Sequence, residues 1–285
     1  MKILYLQNSF LGKEIEKALK NLGHKVIVLN EDADVQNIID IANKSDLFLF
    51  HKGVKAEGHF DFQVTLARFQ NILERIKCKK VLWFMERVWG LNEPYLDEIK
   101  SFVDKIYLTD GTFIRQNQED FTFLPVGAEL REGKYNKELE CDVAFTGQIY
   151  GIRSFVFNSL KQKLGRKFRI FNNIWEQDFA DLCATAKIII DPKFPSNDFY
   201  WTNRIYQTLA CGGFLIHPRL QGLIEEGFIA GEHYIDYSSI EDLEFAIESF
   251  LKPEAEEARK QIAKKGKEFV SQFTWEERLK TLLKA

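Results

Sequence analysis

Cysteine is scarce: the 285 residues contain only Cys78, Cys141, Cys183 and Cys211, and no two of them form a C-x-x-C pair. Such spacing excludes a zinc ribbon or a disulfide framework. It predicts buried free thiols in a reducing compartment, the cytoplasm. Cys211 in particular reads as packing, since nothing beside it in the sequence activates a thiolate. Long apolar runs are missing too. The stretch Val81-Leu82-Trp83-Phe84-Met85 is among the longest, far short of the roughly 20 residues a membrane-spanning helix needs. Met1 and Lys2 lead directly into a strand-like run, and nothing there resembles a signal peptide. Neither charge sign dominates: 39 Lys and Arg stand against 42 Asp and Glu, for a net −3. A broad nucleic-acid surface needs clustered excess cations, so that class is excluded.

What is present suits a soluble globular protein. Apolar residues make up 45% and charged residues 28%, ordinary proportions for that class. Phenylalanine occurs 25 times, enough for two large cores. At roughly 150 residues per domain, the length predicts two domains.

Short apolar runs alternate with helical periods. Strands are expected at 2–6, 26–29, 47–50, 81–85, 106–108 and 121–126. Helical spacing links Ile15, Ala18, Leu19 and Leu22, then Val35, Ile38, Ile39 and Ala42. Further helices are expected near 62–77 and 93–103. Strands apolar on both faces, separated by helices, are the signature of a parallel, doubly wound sheet. The stretch 129–140 is polar, lacks apolar periodicity and reads as a linker. The alternation then restarts, with strands expected at 142–146, 167–171, 187–190, 213–217 and 233–236. Helices fall near 152–164, 176–186, 202–211, 240–251, 253–272 and 275–284. The expectation is an α/β protein of two Rossmann-like domains, 1–130 and 131–285.

One segment carries a family signature. Asn203, Arg204, Gln207, Ala210, Cys211, Gly212 and Leu215 are spaced as in N-R-x-x-E-x-x-A-C-G-x-x-L/V, which resembles group 1 glycosyltransferases. Three further pieces resemble the spore-maturation-protein-like (CgeB-like) branch: Asp142 to Gly147 followed by Arg153, Glu232 to Tyr237, and the tail with Phe273, Thr274, Trp275 and Arg278. The resemblance covers about residues 141–280. It implies the GT-B fold, with two domains facing a central cleft and a final helix crossing back to the first. It implies a metal-independent glycosyltransferase that moves a hexosyl group from a nucleoside-diphosphate sugar, such as a UDP- or GDP-sugar, to an acceptor hydroxyl, with no further cofactor. The acceptor side falls to the first domain and the donor side to the second. The family places Glu where this chain has Gln207, which motivates an alternative: an inactive nucleotide-sugar-binding protein of the same fold.

The residues suit that donor. Gly147 ends a strand before the helix of Arg153, so backbone can approach a phosphate closely. Arg204, in the first turn of the helix opened by Asn203, is expected to reach the diphosphate. Gln207 lies one turn later on the same face and suits a ribose hydroxyl. Asn172, after a strand, suits the base. Arg153 and Arg204 each have a plainer reading, a solvated helix residue. In the first half, His51, Glu86 and Asp110 stand at expected strand ends, where ligands of parallel sheets bind. Glu86 is the first candidate for general base and His51 the second. A salt bridge competes with the role for Glu86, and Asp110 before Gly111 reads as a helix cap. The acceptor class, whether glycan, protein or small molecule, is left open.

Overall fold

The computed structural model describes residues 1–7, 11–52, 62–90, 92–116, 120–149, 151, 153–192 and 197–284. The chain divides into two compact units, 1–126 with 275–285, and 127–274.

The first unit alternates strand and helix: β1 (Lys2–Gln7), α1 (Gly12–Asn21), β2 (Lys25–Asn30), α2 (Val35–Ala42), β3 (Leu47–Phe50), α3 (Phe62–Arg75), β4 (Lys79–Phe84), α4 (Asn92–Ile99), β5 (Lys105–Leu108), α5 (Gly111–Gln116) and β6 (Thr122–Phe123). The strands form one parallel sheet in the order β2-β1-β3-β4-β5-β6. Its inner strands are buried on both faces, as their unbroken apolar runs require. Asp34 caps α2 by accepting from the Asn37 amide at 2.8 Å. The helix faces carrying Ile38 and Ile39, and Ile72 and Leu73, close over this sheet.

The second unit repeats the scheme with β7 (Val143–Thr146), α6 (Arg153–Leu164), β8 (Phe168–Phe171), α7 (Glu176–Thr185), β9 (Ile188–Ile190), α8 (Arg204–Ala210), β10 (Leu215–Pro218), α9 (Gln221–Glu225), β11 (Ile235–Tyr237), α10 (Ile240–Leu251) and α11 (Glu256–Val270). Its parallel sheet runs β11-β10-β9-β7-β8. The final helix α12 (Trp275–Lys284) belongs to the first unit. Its Trp275 ring meets Trp83 of β4 edge-on at 5.7 Å, and Asn21 of α1 donates to Glu276 at 2.9 Å. The doubly wound α/β architecture expected from the sequence is the architecture found.

Differences are local. The run expected as a strand at 121–126 pairs only over β6, whose two residues bond to β5. The stretch 129–140, read as a linker, is strapped onto α7. The Lys134 amide donates to Asp181 at 2.8 Å, the Asn136 amide donates to Thr185 at 2.9 Å, and a Cβ on Gly133 would lie 1.9 Å from the Ala180 carbonyl. Side chains of α7 therefore satisfy backbone amides of the stretch, while most of its own polar side chains stay exposed. The four cysteines are free, three buried and Cys78 half-buried. No described helix is long and apolar enough to cross a membrane.

Candidate functional site

A doubly wound sheet binds ligands where the strand order reverses, beyond the carboxyl ends of the strands. In the second unit that point lies between β7 and β9, because the chain leaves β7 for β8 on one side and returns through β9 on the other. Gly147 follows β7 and Asp191 follows β9.

Asp191 is fully buried, and cations converge on it. The Nη1 of Arg204 bonds its Oδ1, and Nη2 of Arg153 lies 3.8 Å from the same oxygen. On Oδ2, the Thr202 hydroxyl donates at 3.3 Å and His217 Nε2 stands at 3.5 Å. His217 directs Nδ1 to the Pro218 carbonyl at 2.9 Å; a carbonyl only accepts, so Nδ1 carries the proton. Backbone holds Asp191 as well, since its amide donates to the Ile216 carbonyl at 3.0 Å and Tyr237 Oη donates to its own carbonyl at 2.9 Å.

Both guanidiniums are anchored at several of their N–H groups. Arg204 donates from Nε and Nη2 to the Thr146 carbonyl at 3.2 and 2.8 Å. Arg153 donates from Nε to the Pro192 carbonyl and from Nη1 to the Gln148 carbonyl, each at 3.0 Å. They share one aromatic partner: Arg153 lies 5.1 Å and Arg204 4.9 Å from the centre of the Phe145 ring, within cation–π range. Gly147 makes this possible. Its φ is +122°, and a Cβ there would stand 2.9 Å from Arg204 Nη2, so any other residue would crowd the arginine from a strained backbone.

The structure thus unites Gly147, Arg153 and Arg204 with two residues the sequence reading passed over, Asp191 and His217. It corrects the view of the arginines. Neither is a solvated helix residue; Arg153 is 5% exposed. Arg204 does not reach out from a helix turn, because most of its N–H groups are spent on Thr146 and Asp191, leaving one Nη2 edge beside Gly147. Asn203 precedes α8 without capping it, and its buried Nδ2 has no hydrogen-bond partner. Gln207 is half-buried in α8, one turn on. Asn172 is exposed just after β8, next to Phe171, whose carbonyl accepts from the Gly147 amide at 3.0 Å. Cys211 is buried, as a packing residue is. The Cys183 thiol hydrogen-bonds it and lowers its pKa, burial opposes this, and the charges of Lys267 and Arg131 lower it again. Asp191 had a signal. A polar residue directly after the apolar run Ile188-Ile189-Ile190 follows the same rule that singled out His51 and Glu86.

The first unit's strand ends differ. His51 is 3% exposed, with Nδ1 donating to the Trp83 carbonyl at 2.9 Å and Nε2 accepting from Tyr5 Oη at 2.6 Å. Burial holds its pKa down to about 4, against a smaller upward pull from the Trp83 carbonyl. Both nitrogens are engaged inside the core, which is a poor arrangement for a base. Glu86 is exposed and pairs with Lys52 Nζ at 2.7 Å. Asp110 is buried and caps α5: Oδ1 accepts from the Thr112 and Phe113 amides at 3.0 and 3.2 Å, and Oδ2 from the Val88 amide at 3.0 Å. Among the described residues no cluster of three or more His, Cys, Asp or Glu side chains is placed to hold a metal ion.

Residues 153–284 match a model of the family described as glycosyl transferase-like. No curated protein matches the chain. Among solved structures, Anabaena Alr3699/HepE in complex with UDP and glucose aligns at a TM-score of 0.70 and 12% identity, over 100% of this chain and 98% of that one. An alpha-glucosyltransferase in complex with UDP-glucose and DNA containing an abasic site aligns at 0.70 and 11%, over 99% and 98%. A glycosyltransferase from Rickettsia africae ESF-5 aligns at 0.66 and 14%, over 99% and 97%. At such identities the likeness establishes the fold, that of the GT-B glycosyltransferases.

Proposed function

We propose that this chain of GT-B fold is a glycosyltransferase that moves a hexosyl group from a nucleoside-diphosphate sugar to an acceptor hydroxyl, with the donor in the second unit and the acceptor in the first. The observation that carries the donor assignment is the charge of the buried cluster. Two guanidiniums face one carboxylate beside Gly147, at the point where the strand order reverses. The surplus positive charge suits a diphosphate, and stabilising that leaving group is the main electrostatic task of sugar transfer. Arg153 and Arg204 supply this charge without a metal ion. Asn203 offers its amide to the phosphates, Gln207 holds the ribose, and Asn172 contacts the base. UDP and UDP-glucose occupy the Anabaena protein and the alpha-glucosyltransferase, which makes a UDP-hexose the first donor to test.

Glu86 takes the role of general base. It is exposed, paired with Lys52 and placed after β4, whereas His51 is neutral and enclosed. Gln207 in place of the family's Glu still offers the ribose a hydrogen-bonding side chain, so turnover is favoured over a protein that only binds donor. The alpha-glucosyltransferase was seen with DNA; with a net charge of −3, this chain is assigned a glycan, protein or small-molecule acceptor instead. The spacing within 202–216 supports the CgeB-like branch, and the four free thiols support a cytoplasmic setting.

A thermal-shift panel of UDP, GDP, ADP and dTDP with their hexoses tests the donor reading. A ligand at a hundredfold its dissociation constant adds about 2.7 kcal/mol to stability. The matching nucleoside diphosphate is expected to raise the unfolding temperature; silence from every nucleotide and nucleotide sugar would overturn the assignment.

A further inference from the structure

We propose that Asp191 is a positioning residue for the donor, fixing the two guanidiniums so that a diphosphate meets them in a single geometry. This rests on the donor reading above. Asp191 gains nothing by touching the ligand itself, because a carboxylate repels a diphosphate. Its presence at the anion site needs another reason, and the geometry supplies one.

Arg204 is held at two places. The Thr146 carbonyl takes Nε and Nη2, and Asp191 takes Nη1. Two anchors at opposite corners fix the plane of a rigid fork. They leave an Nη2 edge along Gly147, where the backbone lets an anion come close. Arg153 lies against the same ring of Phe145 and within 3.8 Å of the same Oδ1. Without a shared anion, two buried like charges on one ring would separate. Asp191 is itself immobilised from three elements. Thr202 holds Oδ2 from the approach to α8, the Ile216 carbonyl of β10 takes its amide, and Tyr237 of β11 holds its carbonyl. The carboxylate therefore converts sheet rigidity into a set direction for the arginine that faces the phosphates.

The test is calorimetric titration of wild type and Asp191→Asn, using whichever of UDP, GDP, ADP or dTDP binds wild type most tightly, together with its bare nucleoside. The expected result is a selective loss. Diphosphate affinity should fall roughly tenfold or more, the scale of one charge-assisted hydrogen bond, while nucleoside affinity stays the same. In an Arg204→Gln background, Asp191→Asn should cost much less diphosphate affinity, because it acts through Arg204. If no nucleoside diphosphate binds wild type, the donor reading itself has failed. If one binds and Asp191→Asn binds it equally or more tightly, the carboxylate merely neutralises charge and the positioning role is overturned. A parallel loss of nucleoside and diphosphate overturns it as well, because it signals general damage. Should Asp191→Asn not fold, Thr202→Val decides by the same pair of ligands. It removes the hydroxyl that donates to Oδ2 and accepts from Arg204 Nη1 at 3.5 Å, and a loss confined to the diphosphate supports the role, whereas no change or a parallel loss defeats it.

Discussion

His51 and Asp191 occupy the same topological place in the two units. Each follows the third strand of its sheet, and that strand lies beside the first in both, as β2-β1-β3 and β8-β7-β9. Both residues are buried and both are polar. The first unit fills the place with a neutral pair, Tyr5 and His51, that satisfies itself. The second fills it with an ionic cluster in which cations outnumber carboxylates. The difference teaches that topology only nominates a binding place, and that charge balance decides whether it is a site or a plug. A closed hydrogen-bond pair asks nothing of a ligand. A buried cation surplus does.

The largest effect expected lies with the exposed group of the first unit. If its chemistry resides in Glu86 and not in its buried strand ends, Glu86→Gln should lower turnover by roughly 10²–10⁴-fold, with donor affinity unchanged. Steady-state rates beside calorimetric donor titrations check this, and an unaltered rate would move the base elsewhere. Stability should barely respond, because the Lys52–Glu86 pair is about half exposed on both sides.

Next comes the ionic cluster. Arg204→Ala leaves a fully buried carboxylate without its closest cation. Breaking such a pair from one side costs about 3–5 kcal/mol. Urea unfolding should show that loss, accompanied by weaker diphosphate binding. A variant as stable as wild type would mean that Arg204 is not a strut of the fold.

The neutral pair predicts a pH dependence instead. The folded pKa of His51 is about 4, below its ordinary 6.5. Between those values the unfolded chain binds the extra proton, so stability rises with pH through this window and is lost as pH falls from 6.5 towards 4. The full window is worth about 3 kcal/mol. His51→Gln should flatten that part of the stability profile relative to wild type. Superimposable profiles between pH 7 and 4.5 would show that the buried imidazole does not titrate as described.

The smallest effect concerns a cap. Asp110→Ala removes the acceptor for the Thr112 and Phe113 amides at the start of α5, at a cost of about 1–2 kcal/mol. Denaturant midpoints suffice to measure it. No change would show that water replaces the cap.

Much of this was legible in the sequence because it is local. The double alternation, the cap at Asp110 and the closing helix near 275–284 each depend on residues a few positions apart. The segment 202–216 singled out Arg204, a member of the buried cluster, through its spacing alone. Contacts between distant strand ends were not legible. The partner of Arg204 lies 13 residues earlier, and the carbonyl it grips, Thr146, lies 58 residues earlier. Only the sheet order brings β7, β9 and α8 together. His217 was hidden for a related reason, since it sits inside a strand whose other members are apolar. The pairing of Glu86 with Lys52 rather than with its neighbour Arg87 likewise follows from the adjacency of β3 and β4.

The last helix carries a consequence for synthesis. The first unit holds both 1–126 and 275–285, while the second is the unbroken stretch 127–274. A ribosome therefore releases every residue of the second unit before the first unit has received its closing piece. Until α12 emerges, the Trp83 neighbourhood lacks Trp275, and α1 lacks the helix that packs beside it. The half of the molecule made earliest is thus the last to be finished, and a nascent chain stalled near residue 274 would pair a complete second unit with an open hydrophobic seam in the first, a target for chaperones.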